Sequence, residues 1–283
     1  MIEHDLLPIV LRVLVYVATI AVAGAVLFAF SFPRAASEVQ PALRRQVVAG
    51  FCLLLLVEPM RYVVFQLAIS GGDWSLAFGP GLRWMGLQTP IGQAAAVRLI
   101  AALMVVTVAR RSTVVAFAAA LVLIGSFLLE GHTVSSDARI ALGALLFIHL
   151  AAVHWWLGAL YPLMALTRCA APKTLSAAVE AFGAWAAWVV AALLGTGVLL
   201  LLIITGVQLN VDSDYQQRFL VKLLLVAGLL SIAAWNKLRL TPLLRRDPQS
   251  GAARLRGSIR LEIAVALSIL AATAWITSTA PDA

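Results

Sequence analysis

The chain is a series of long apolar runs divided by short polar turns, and the apolar residues fill these runs rather than forming amphipathic stripes. A bilayer core takes about 20 residues at about 1.5 Å each. Eight stretches reach or approach that length: Ile9–Phe32, Val47–Ile69, Gly92–Ala109, Val114–Glu130, Ile140–Leu166, Phe182–Val207, Arg218–Trp235 and Ile259–Thr277. All are expected to be helices, because hydrocarbon offers no hydrogen-bond partner to an open strand edge. Only Arg110-Arg111-Ser112-Thr113 parts the third stretch from the fourth. A single span over 92–130 would be about 58 Å long by helix rise, so it is divided here. The predicted fold is all-α: one integral membrane domain over residues 1–283, a polytopic bundle of eight transmembrane helices. The leader Met1–Asp5 is acidic rather than basic, so the first stretch reads as a permanent helix and not a signal peptide.

Composition agrees. Of 283 residues, 62% are hydrophobic and 12% charged, against about 45–50% and about 25% in soluble domains. That excludes a cytoplasmic enzyme, a nucleic-acid module and a disordered chain. The net charge of +8 reports topology. Basic residues crowd the turns after the odd-numbered spans: Arg34, Arg44 and Arg45; Arg110 and Arg111; Arg168 and Lys173; Lys237, Arg239, Arg245, Arg246, Arg254 and Arg256. The other turns hold Arg83, Arg139 and Arg218 beside Asp73, Asp137, Asp212 and Asp214. The positive-inside rule then puts both termini in the periplasm, and nucleic acid is not an expected partner. Cys52 and Cys169 supply neither a disulfide framework nor a CxxC site.

Ionisable groups inside a span are costly and default to a paired or functional role. Arg12, Arg61, Arg98 and Lys222 form the expected charged interior set, with Glu58 as the intramembrane acid and Glu130 and Glu262 near span ends. Helix rise puts Glu58 about 16 Å deep and His149 about 14 Å deep from opposite faces, which brings both near mid-membrane. Arg12, Arg98 and Lys222 lie within about 10 Å of the outer face. A polar interior open to the outside follows. Glu58 and Arg61, three residues apart, can also simply neutralise one another. Thr89-Pro90-Ile91-Gly92 before Arg98 matches Ser213-Asp214-Tyr215-Gln216 before Lys222. This match suggests a 4+4 parallel repeat with halves 1–137 and 138–283.

Among the histidines, His132 follows Gly131 at the outer end of the fourth span, and His149 is followed by His154, Trp155, Trp156 and Gly158. Together with Thr89–Gly92 and Arg98, with Tyr215 before Leu220-Val221-Lys222-Leu223, and with Asn236-Lys237-Leu238-Arg239-Leu240-Thr241-Pro242, these features resemble the copper resistance protein D (CopD) family of bacterial inner-membrane proteins. The resemblance covers most of the chain. Two departures are Ala159, where the family has a second glycine, and His154, where it has a small apolar residue.

The resemblance implies a multi-pass inner-membrane protein of copper homeostasis, not an enzyme. It would move copper across or into the membrane from the periplasmic side, often with a periplasmic copper-binding protein of the CopC type. Copper(II) takes imidazole and carboxylate, so His149, His132 and Glu58 are the candidate metal ligands, with Met60, His154 and His4 secondary. Two alternatives stand beside this reading. One is a b-type haem electron carrier or cupric reductase, with histidines from neighbouring helices as axial ligands. The other is a non-catalytic assembly scaffold.

Overall fold

The computed structural model describes residues 3–82, 84–109, 111–130, 139–205 and 214–277; His132 lies outside them, and so does the side chain of His4. Every element among the described residues is helical. They are α1 (Glu3–Ser31), α2 (Pro33–Glu38), α3 (Gln40–Ile69), α4 (Trp74–Ala77), α5 (Met85–Gln88), α6 (Pro90–Val108), α7 (Thr113–Gly125), α8 (Arg139–Cys169), α9 (Pro172–Thr205), α10 (Asp214–Trp235), α11 (Thr241–Arg246) and α12 (Pro248–Ile276). Among the described residues seven helices are long and apolar enough to cross a membrane. The expected fourth span is shorter: 13 residues of α7 run into a four-residue 3-10 turn, Ser126–Leu129. Its length is about 27 Å, just under the hydrocarbon thickness.

Several helices outrun their apolar stretches. α3 begins at Gln40, α9 at Pro172 and α12 at Pro248, each before the expected span. The added turns carry Arg44, Arg45, Lys173, Arg254 and Arg256, so the helices project beyond the apolar slab at the basic end. Two contacts tie this end together. Arg245 grips Glu180 with two hydrogen bonds of 2.6 Å, and Arg256 donates to the hydroxyl and carbonyl of Thr167 at 2.9 and 2.7 Å.

α1 is the hub, packing on α3, α6, α7, α8 and α12. Lipid is as apolar as leucine, so helices associate through close packing rather than hydrophobic exclusion. Gly24 and Gly158 supply that closeness where α1 crosses α8: a Cβ on Gly24 would run into the Gly158 Cα and stand 2.7 Å from the His154 carbonyl oxygen. Gln46 of α3 joins the crossing by donating to the Gly158 carbonyl at 3.0 Å. Leu11, Val15, Val22, Leu54, Leu123 and Ile124 fill the core at one end. Phe28, Phe32, Leu160, Leu166, Leu244 and Ile259 fill it at the other.

The chain from Ser70 to Thr89 folds back on α3. Gly71 and Gly72 take positive φ, +66° and +88°, which a side chain would resist, and Asp73 then caps α4 through the Ser75 and Leu76 N–H groups. The buried Gln66 amide of α3 donates to the Ala77 and Leu82 carbonyls at 3.2 and 2.9 Å, which pins the loop. α9 and α10 pack on α8 and α12 respectively and share no packed interface among the described residues. At the basic end Gly183 of α9 meets Lys237, just beyond α10.

Candidate functional site

Two separate polar assemblies occupy the end opposite the basic turns. In the first, Glu58 and Arg61 are one turn apart on α3, Arg98 comes from α6, and Glu130 follows the 3-10 turn after α7. One Arg98 Nη1 donates to Glu58 Oε1 at 3.0 Å and to Glu130 Oε1 at 2.9 Å. Arg61 donates to Glu58 Oε2 and Glu130 Oε2, both at 3.1 Å. Each acid thus touches both arginines, and the square is electrically neutral. The Arg98 side chain is fully buried and that of Glu58 is 1% exposed.

The short fourth helix makes the square possible. By ending in a 3-10 turn it leaves Ser126 facing Arg98, whose Nε donates to the serine oxygen at 3.1 Å, while the hydroxyl donates to Leu123 O at 2.6 Å. Phe127 then lies under the guanidinium, 4.3 Å from ring centroid to Arg98 Cζ. Arg98 Nη2 is buried and has no hydrogen-bond partner among the described residues.

The second assembly centres on His149 of α8. Its Nδ1 lies 3.2 Å from Leu193 O and 3.2 Å from Thr196 Oγ1, both on α9. The Thr196 hydroxyl gives its hydrogen to Ala192 O at 2.7 Å. Both neighbours of Nδ1 therefore act as acceptors, so Nδ1 carries the ring hydrogen. The neutral ring then keeps its lone pair on Nε2. Gly197 makes room: a Cβ there would stand 3.4 Å from His149 Cε1. Lys222 of α10 is the charged side chain whose field reaches His149. Lys222 has no carboxylate partner among the described residues; its Nζ lies 5.8 Å from the centroid of the Phe219 ring.

The structure redistributes the residues expected to meet. Glu58 spends both carboxylate oxygens on arginines, whereas His149 turns to α9. Imidazole and carboxylate do not share one pocket as their equal depths suggested. Among the described residues no three His, Cys, Asp or Glu side chains gather as a metal would need. Met60 is 42% exposed on the outer surface of α3 and faces away from the interior.

His154 is fully engaged. Its Nδ1 lies 2.7 Å from Leu150 O and its Nε2 3.3 Å from Thr19 Oγ1 of α1, so both ring nitrogens face neighbouring helix groups. The four expected cations do not cluster either. Arg61 and Arg98 join the square, Arg12 donates to Thr277 Oγ1 at 2.9 Å, and Lys222 stands by His149. Sequence reasoning left Glu130 outside the site. Its clue was a second acid at a helix end opposite two unmatched arginines.

Comparison with known proteins decides the family. Residues 1–140 match the copper resistance protein D-like N-terminal domain, and residues 176–276 match copper resistance protein D. The chain belongs to the copper resistance protein D family. A member from Pseudomonas syringae pv. tomato, itself described as copper resistance protein D, is 28% identical over 304 aligned positions, covering 99% of this chain and 98% of the relative. No solved structure matches. Set against these family matches, the Glu58–Arg61–Arg98–Glu130 square falls within the N-terminal one, and Thr196, Gly197 and Lys222 within the other. His149 and His154 lie in the stretch between them. As a family member the chain is a multi-pass inner-membrane protein.

Proposed function

We propose that this copper-homeostasis membrane protein moves copper from the periplasmic side across or into the inner membrane, and that the ion is met by His149 where α8 faces α9. The observation that supports this is the fixed tautomer. Metal-binding histidines characteristically donate one ring N–H to a carbonyl and offer the other nitrogen, and His149 has that arrangement through Leu193, Thr196 and Ala192. One imidazole facing an ammonium is a weak resting place for a cation. Weak binding is what passage demands, since an ion that enters must also leave.

His132 stands two residues beyond Glu130 in sequence, and we assign it the entrance contact. The Glu58–Arg61–Arg98–Glu130 square has no free carboxylate oxygen, so its part is to hold α3, α6 and α7 in place beside the hub. A periplasmic copper-binding protein of the CopC type would deliver the ion. The protein acts as a permease rather than an enzyme, with copper as cargo.

The test is cellular copper, measured by mass spectrometry in cells with and without the protein and with His149→Ala. The expected result is a copper difference that depends on the protein and disappears in the variant, at unchanged membrane abundance. A variant indistinguishable from the parent would overturn the assignment of His149. An absorption spectrum of the purified protein with a haem Soret band lost in His149→Ala would turn the reading toward electron transfer.

A further inference from the structure

One buried acid takes no part in either assembly. Glu262 of α12 is 4% exposed, and its hydrogen-bond partner is the Asn236 side chain, whose Nδ2 donates to Glu262 Oε1 at 2.8 Å. Glu58, Glu130 and Glu180 each face arginine; Glu262 has no ion-pair partner among the described residues. The charged groups on the elements around α12 are engaged or distant. Arg256 is bonded to Thr167, Arg245 to Glu180 and Arg12 to Thr277. Arg239 lies by the Trp235 ring, Lys237 and Arg260 are exposed, and Arg218 and Lys222 sit near the other end of α10. An ionised carboxylate buried without a counter-charge is strongly disfavoured in a protein interior, and more so in a membrane.

The partner is unusual as well. Asn236 opens a π-helical segment, Asn236–Leu240, inside a helix that otherwise continues to Arg246. Pro242 explains the segment: it has no N–H to give and its ring clashes with the carbonyl four residues back, so the helix widens by one residue to pass it. Thr241 Oγ1 holds the widened turn by donating to Asn236 O at 3.0 Å. Asn236 Oδ1 is buried with no hydrogen-bond partner among the described residues. The amide therefore has one end on the carboxylate and the other end unused.

We propose that Glu262 and Asn236 form a proton-binding site at the basic-end half of the bundle, in which the amide turns over as Glu262 gains and loses a proton. With Glu262 ionised, Nδ2 donates to the carboxylate. A hydronium ion at the basic end gives up one proton and becomes water, and the carboxylate becomes a carboxylic acid. The amide then rotates by half a turn, and the acid O–H donates to Oδ1 across the same 2.8 Å, an ordinary O–H···O distance. No helix has to move. This inference does not rest on the copper reading.

The test is infrared difference spectroscopy on the full-length protein in lipid nanodiscs, titrated with pH. The expected signal is the carbonyl stretch of a buried carboxylic acid. It should shift in D2O, weaken as pH rises and be missing from Glu262→Gln. In Asn236→Leu the band should persist at a changed position, because its hydrogen-bond partner is gone. That variant carries the test if Glu262→Gln does not fold. A spectrum in which Glu262→Gln removes nothing, or in which Asn236→Leu leaves the band unmoved, would overturn the proposal.

Discussion

Replacing Arg98 by methionine tests the physical reading of the polar square most directly. Methionine keeps most of the side-chain length and removes the charge. The guanidinium bonds both acids through one nitrogen, at 3.0 and 2.9 Å, and Ser126 through another. After the change Arg61 alone faces two carboxylates, and a neutral assembly carries one uncompensated negative charge. Breaking a buried ion pair by removing one partner costs about 3–5 kcal/mol. At about 2–4 °C per kcal/mol for a chain of this size, the thermal midpoint should fall by roughly 6–20 °C.

The assay is thermal unfolding of monodisperse protein in detergent, read by tryptophan fluorescence. A second substitution decides between loss of charge balance and loss of bulk. Glu58→Gln in the Arg98→Met background restores neutrality, with Arg61 and Glu130 left as a pair. The double variant should recover stability, with a coupling energy of about 1–3 kcal/mol. A midpoint for Arg98→Met within about 2 °C of the parent, or strictly additive losses in the double variant, would show that the square does not hold the helices together.

Three further outcomes are expected. Gly24→Ala should push α1 off α8, since the new methyl meets the Gly158 backbone; a loss of about 1–3 kcal/mol is expected from overpacking, against none for Gly143→Ala, where a Cβ meets nothing within 4 Å. His154→Ala should lower thermal stability by about 2–4 kcal/mol through a buried cavity and spare copper handling, whereas His149→Ala should do the reverse; equal effects of the two variants would contradict the division drawn here. The Asp73 carboxyl is held below its ordinary range, first by the Ser75 hydroxyl and then by the Leu76 and Ser75 N–H groups. Its cap on α4 is therefore fully present above the unfolded value of about 3.9 and fades as pH falls through the lower folded value, with no change between pH 7 and that point. Amide exchange at Ser75 and Leu76 should show this acid transition, and Asp73→Asn should abolish it.

Much of this was legible in the residues. Apolar runs gave the helices, the basic turns gave one end of the bundle, and the three-residue spacing of Glu58 and Arg61 announced an ion pair. Helix rise, however, yields only depth. Glu58 and His149 share a depth, but the direction in which each side chain leaves its helix is set by which neighbours pack there: arginines of α3 and α6 for one, α9 for the other. Met60 shows the same limit, for an apolar side chain in a span reads alike whether it faces lipid or core. The basic-end extensions of α3, α9 and α12 escaped notice because charged residues end an apolar run without ending a helix. Pro242 was visible in the Asn236–Pro242 motif, yet only the coordinates reveal that the helix survives it as a π segment and what Asn236 then touches.

The distribution of buried charge divides the bundle into two kinds of material. In the first half, Glu58, Arg61, Arg98 and Glu130 cancel one another, and cancelled charge is rigid, since moving any member strands the rest. In the second half the ionisable groups are left unbalanced: Lys222 beside His149 toward one end, Glu262 beside Asn236 toward the other. Unbalanced groups change state cheaply when an ion or a proton arrives, because the arrival reduces a penalty already present. Lys222 sits on α10, which with α9, the neighbour of His149, makes up the spans least covered by the rest of the protein. If passage through this protein couples copper to protons, the coupling should therefore reside between Arg139 and Ile276, with the square in the first half as the fixed frame beside it.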